Sequence, residues 1–158
     1  MKKLKLAPVA EEFQLFSHKF IVKYTDLTAA GLTQTLVLLP NTGIMPINTA
    51  IIRTGYRLVT PFTGGSVATV TLDLGDAQTA ARYIAAATTD LLTAIATNTK
   101  NNLISATGYA FSGSNFANSH NKLQALFTST VGNLNTLTAG EVEIYAKIVD
   151  LNDLLRTQ

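Results

Sequence analysis

Residues 66–74, Ser-Val-Ala-Thr-Val-Thr-Leu-Asp-Leu, alternate apolar and polar side chains more regularly than any other stretch of the chain. Ala68, Val70, Leu72 and Leu74 fall on one side of an extended backbone and Thr69, Thr71 and Asp73 on the other, because successive strand side chains point to opposite faces. One face can enter a core while the other stays wet or docks on a neighbour. The same period-two reading extends in both directions. Toward the N-terminus, 48–59 reads as a longer strand, with Gly55 marking an expected bulge and Pro61 and Gly64-Gly65 ending it. Residues 33–39 are apolar at Leu36, Val37, Leu38 and Leu39, which predicts burial on both faces, and the run stops at Pro40-Asn41-Thr42-Gly43. Residues 18–25 set Phe20, Val22 and Tyr24 against Ile21, Lys23 and Thr25.

Toward the C-terminus, 91–97, 103–111 and 122–130 are further strand candidates, separated by Asn-rich loops at 98–102 and 112–121. The last strand, 141–151, places Val142, Ile144, Ala146 and Ile148 on one face and Glu141, Glu143, Tyr145 and Lys147 on the other. Asp76 can cap the segment 77–87, where Ala80, Ala81, Ile84 and Ala85 fall at helical spacing, and this short, Ala-rich stretch is the one expected helix. About eight strands with at most one helix predict an all-β chain, a single antiparallel β-sandwich, with a jelly roll as the eight-stranded wiring.

The chain has 158 residues, a size that suits one domain. It is 47% hydrophobic and only 14% charged, and it carries 23 threonines, a β-branched residue that favours strands and can face water or a packed surface. Twelve Lys and Arg against ten Asp and Glu leave a formal charge of +2, too small and too dispersed for a nucleic-acid-binding surface. No Cys means no disulfide, no thiolate metal site and no thiol nucleophile. The longest apolar stretches fall short of the roughly 20 residues that span a bilayer. Pro8 and Glu11-Glu12 interrupt the apolar run that would have to follow Lys2, Lys3 and Lys5 in a secretory signal. Neither a nucleic acid nor a membrane is an expected partner. The expected organisation is an N-terminal arm, 1–17, followed by the sandwich, 18–158. Leu4, Leu6, Val9, Phe13, Leu15 and Phe16 make the arm too apolar for a tail meant only for water, and they are the candidate interface residues.

A search for chemistry yields no converging set. His18 and His120 belong to no HxH or HExxH pattern, and no Ser sits in a GxSxG elbow. Glu141 and Glu143 share a strand face roughly 7 Å apart, as paired carboxylates could, but read better as exposed positions on a terminal strand. Asp73, Asp76 and Asp90 lack the dense acidic spacing of a calcium loop. Gly64-Gly65 is not followed by Lys and a helix, as a phosphate cradle would be. The expectation is a non-enzymatic chain with no catalytic residue, no metal ligand and no cofactor.

Three segments in order carry a resemblance: Lys23-Tyr24-Thr25-Asp26-Leu27-Thr28-Ala29-Ala30; then Val70-Thr71-Leu72-Asp73-Leu74-Gly75-Asp76 ahead of the Ala-rich segment with Tyr83; and Gly132-Asn133-Leu134-Asn135-Thr136-Leu137-Thr138-Ala139-Gly140-Glu141-Val142-Glu143-Ile144-Tyr145. Together they resemble small tailed-bacteriophage virion proteins over residues 18–151. The resemblance implies a β-sandwich structural protein of the capsid decoration or head-fibre kind, with no catalytic residues to carry over. A protein of that kind is expected to form a homo-oligomer, a trimer, and to dock on the major capsid protein or other virion proteins at the particle surface after synthesis in the host cytoplasm. The alternative is a carbohydrate- or receptor-binding module on the same sandwich, using the loops 98–102 and 112–121 with Tyr109 or Phe116. The absence of Trp weakens it, since sugar platforms lean on aromatic faces.

Overall fold

Residues 16–39, 49–86, 90–93 and 122–150 are described in the computed structural model, and they form six strands. These are β1 (His18–Lys23), β2 (Thr33–Leu39), β3 (Thr49–Thr63), β4 (Val70–Gly75), β5 (Leu123–Ser129) and β6 (Ala139–Asp150). Single 3-10 turns lie at Tyr24–Asp26 and Leu134–Thr136. The strands make two antiparallel three-stranded sheets, ordered β1-β6-β3 and β2-β5-β4. Each central strand comes from the C-terminal part of the chain, and even the pairing shortest in sequence sets Gly75 opposite Gln124.

Alternation places the core. Val142, Ile144 and Ala146 of β6 point inward, as do Val70, Leu72 and Leu74 of β4 and Leu123, Ala125 and Phe127 of β5, and all are fully buried. Residues from both sheets belong to one hydrophobic cluster, in which the rings of Phe62 (β3) and Phe127 (β5) meet at 6.1 Å. Burying a side chain of this size stabilises the fold by roughly 1.5–3 kcal/mol relative to leaving it exposed. A backbone strut joins the sheets as well: the Leu91 carbonyl accepts the Phe62 N–H at 2.8 Å, and the Leu91 N–H donates to the Val70 carbonyl at 2.9 Å. Gly140 opens β6 at φ +143°, where a Cβ would run into the Phe62 ring, so only glycine lets the strand pass over that ring.

The mostly-β, antiparallel, two-sheet expectation holds, and several details differ. Residues 77–86 contain no α-helix. Asp76 does act as a cap, its Oδ1 accepting the Gln78 and Thr79 N–H groups at 2.9 and 2.8 Å, but the cap closes a turn. The Leu74 N–H donates to the Ile84 carbonyl at 2.9 Å and the Tyr83 N–H to the Leu74 carbonyl at 2.8 Å. Backbone groups that a helix would need internally thus bond the edge of β4, an arrangement that buries Ile84 in the core. Nor is β2 buried on both faces, since Val37 is 44% exposed while Leu38 is buried. The reason is architectural: an antiparallel sheet needs cover on one face only.

Gly55 is no bulge. It pairs in register with Tyr145, an aromatic partner of the kind that covers a strand glycine, and the register shifts fall at Ile51/Arg53, Leu58/Thr60 and Thr60/Thr63. Pro61 lies within the last shift of this edge strand, where a missing N–H is tolerated, and β3 runs on to Thr63. Six strands stand among the described residues where about eight were expected. Residues 91–93 form a bend, and the candidates at 94–97 and 103–111 lie outside the described residues.

Candidate functional site

The two sheets turn different outward faces to their surroundings. On the first, β6 contributes Glu141, Glu143, Tyr145 and Lys147, β1 contributes Lys19, Ile21 and Lys23, and β3 contributes Arg53 and Arg57. Register sets Ile21 and Arg57 on either side of Glu143, Lys19 and Gly55 on either side of Tyr145, and Lys23 beside Glu141. Glu143 is only 4% exposed although it lies on the outward side. Lys19 Nζ is 2.6 Å from its Oε1, Arg57 Nε donates to Oε2 at 2.8 Å, and Arg57 Nη2 is 2.7 Å from the same oxygen. The Tyr145 hydroxyl also donates to Oε2.

These partners hold the Glu143 carboxyl down to about 2, the Lys19 hydrogen bond contributing most and then the Tyr145 hydroxyl, with Arg57 adding to both against the opposing effect of burial. The Tyr145 phenol is pushed up, first by burial and then by its bond to Glu143, and the Lys19 ammonium is raised chiefly by its hydrogen bond to the same carboxylate. A carboxylate so held stays ionised with its oxygens occupied. It anchors three strands to one another and is poorly suited to protonate a leaving group, which needs a raised pKa. Glu141 is drawn toward Lys23 instead, at 3.8 Å. Strand alternation alone reads Glu141 and Glu143 as exposed positions; Glu143 is buried because Lys19, Arg57 and Tyr145 close over it.

The outward face of the second sheet is nearly uncharged. Its cross-strand rows are Thr33–Thr128–Thr71, Thr35–Leu126–Asp73 and Val37–Gln124–Gly75. Asp73, the one ionisable group in these rows, accepts the Ala86 N–H. The Thr69 and Thr130 hydroxyls meet at 2.8 Å beside the first row. Leu32 and Val131 are exposed at the same end, tied in by the Ser129 N–H to the Leu32 carbonyl at 2.7 Å and the Ser129 hydroxyl to the Val131 carbonyl at 2.6 Å.

Of the candidate interface residues, Leu4, Leu6, Val9, Phe13 and Leu15 lie outside the described residues. Phe16 is half-buried with its ring 5.4 Å from that of Tyr145, so the chain enters β1 across the outward face of the first sheet. Ser17 fastens this approach, its Oγ accepting the Ile148 N–H at 2.9 Å. His18 shares a hydrogen bond with Ser17 Oγ at 2.8 Å and stacks on Phe20, while His120 lies outside the described residues. The three aspartates are engaged separately: Asp73 with Ala86, Asp76 with Gln78, Thr79 and Arg82, and Asp90 with Leu92, a backbone bond that holds its carboxyl below the usual range. Among the described residues no three His, Asp or Glu side chains gather where a metal ion could sit. No helix among them is long and apolar enough to cross a membrane. The loops that a carbohydrate-binding reading would use, with Tyr109 and Phe116, lie outside the described residues. No family model, curated protein or solved structure matches the chain.

Proposed function

We propose that the protein is a non-enzymatic structural protein of a bacteriophage virion, of the capsid decoration or head-fibre kind. In this reading it assembles with copies of itself, as a trimer, and docks on capsid or other virion proteins at the particle surface. One observation supports the assembly above all: the outward face of the second sheet combines threonine hydroxyls and methyls with Val37 and Leu126, and its single carboxylate already has a hydrogen-bond donor. Covering such a face strips water from few charges, and the hydroxyls can pair with one another across an interface. The apolar arm, 1–17, supplies the second attachment. The finer architecture that accompanies this proposal is a jelly roll of about eight strands.

Light scattering on the full chain tests the assembly. The expected result is a trimer that Thr35→Lys together with Val37→Glu reduces to a monomer, with melting behaviour retained. Removing residues 1–15 should leave the oligomer intact and abolish binding to particles. A wild-type chain that is monomeric and indifferent to particles would overturn the proposal.

A further inference from the structure

β1 lies at one edge of its sheet, paired with β6 on one side and, among the described residues, with no strand on the other. Its outward side chains are Lys19, Ile21 and Lys23, and they are open to solvent, the lysine side chains by 46% and 57% and Ile21 by 49%. An edge strand presents a row of N–H and C=O groups that can template another strand; on β1 the Lys23 N–H is already held by Asp26 Oδ2 at 2.8 Å, so the backbone ahead of Lys23 is what a newcomer would pair with.

The two lysines restrict which strand that can be. A second copy of β1 laid antiparallel in register would set Lys19 against Lys23 at both ends, and a parallel copy would set like against like. Like charges directly opposite one another destabilise a sheet. β6 shows what the strand accepts, because Glu141 stands opposite Lys23 and Glu143 binds Lys19. An ammonium has three donors, so pairing with β6 does not exhaust either lysine. Glu143 also keeps its Arg57 and Tyr145 partners if Lys19 turns part-way toward a newcomer.

The geometry points to β1 as the docking edge for an extended segment of a partner protein with the pattern acidic-x-apolar-x-acidic. Its carboxylates lie opposite Lys19 and Lys23, its apolar side chain lies on Ile21, and its backbone extends the sheet by one strand. The pattern is symmetric about its centre, so parallel and antiparallel addition both satisfy it. Main-chain bonds supply affinity and the alternate side chains supply selectivity. A nucleic acid fits less well, because its phosphates would face Glu141 and Glu143 behind the lysines and it offers no strand to add. This docking edge does not depend on membership of a virus particle, so the two readings fail separately.

The test is titration of a fluorescent peptide, Thr-Glu-Thr-Val-Thr-Glu-Thr, against the full chain, followed by anisotropy. Saturable binding is expected, with amide exchange slowed within residues 18–22, the Lys23 N–H being already bonded to Asp26. Lys23→Glu should weaken it by about fivefold or more, the change from an attracting to a repelling cross-strand pair. Lys122→Glu, away from β1, should leave it unchanged, and a peptide with Lys in place of Glu should not bind. Melting curves establish that each variant is folded. Four results would each overturn the inference: no binding at millimolar peptide, equal binding of the Lys peptide, protection away from β1, or unchanged affinity in a folded Lys23→Glu protein. Displacement by a short DNA duplex at matched charge would do so as well.

Discussion

Replacing Glu143 by Gln should destabilise the protein by about 2 kcal/mol at neutral pH and by almost nothing near pH 2. The carboxyl falls from an ordinary 4.5 to about 2 in the folded state. At 1.36 kcal/mol per pH unit this depression is worth at most about 3.4 kcal/mol. The Lys19 and Arg57 side chains are half exposed, so water screens part of that attraction and about 2 kcal/mol is the better figure. Because the folded value lies below the unfolded one, the stabilisation is fully present above pH 4.5 and is lost as pH falls through that value toward 2. Gln preserves size and one acceptor but leaves two cations without their counter-ion. Urea denaturation of wild type and variant from pH 7 to pH 2 measures the effect, and since the other carboxylates titrate in both proteins, the difference isolates Glu143. At pH 7 the melting temperature should drop by about 4–8 °C. A difference that stays constant from pH 7 to pH 2, or is absent at pH 7, would refute the view that this ion cluster holds the three strands.

Packing sets three further outcomes. Gly140→Ala should cost more than about 2 kcal/mol in chemical denaturation, because it forces a side chain into a left-handed backbone position and against the buried Phe62 ring. Phe127→Ala empties the centre of the cluster and should cost about 3–5 kcal/mol by the same measurement. Asp76→Ala removes the acceptor for two N–H groups and the ion pair with Arg82, for a loss of about 1–2 kcal/mol. Its signature should be faster amide exchange at Gln78 and Thr79 while the sheets stay protected.

Strand positions were legible where period-two alternation is written in β-branched and apolar residues. β2 occupies 33–39 as read, β5 differs by one residue at each end, and the alternation names Val142, Ile144 and Ala146 of β6 and Val70, Leu72 and Leu74 of β4 as inward, although β4 begins only at Val70 and Ala68 ahead of it is exposed. The misread helix shows the limit of local signals. Ala80, Ala81 and Ala85 favour a helix in isolation, but burying Ile84 beside Leu74 makes the backbone an edge partner of β4, and tertiary contacts outweigh propensity. Burial of Val37 was overread for the converse reason, since an apolar run does not say whether a second layer covers it. The Glu143 cluster was hidden because Lys19, Arg57 and Tyr145 come from three strands whose adjacency is non-local. The alternation Glu141, Glu143, Tyr145 marked a face, but no sequence spacing brings Arg57 to it.

Placing both central strands late in the chain imposes an order on folding during synthesis. Among the described residues β1 and β3 meet only through β6, and β2 and β4 only through β5, so the two pairings of β5 wait for residues 123–129 and the two of β6 for residues 139–150. Until then four strands wait with open edges, and the loops that must close are long, which slows folding and exposes the nascent chain to mispairing. Lys19 and Lys23 stand at both ends of β1, where like charges disfavour pairing of a waiting β1 with a second copy of itself. A message truncated after residue 122 would yield neither sheet, which makes the final quarter of this chain the step that commits everything before it.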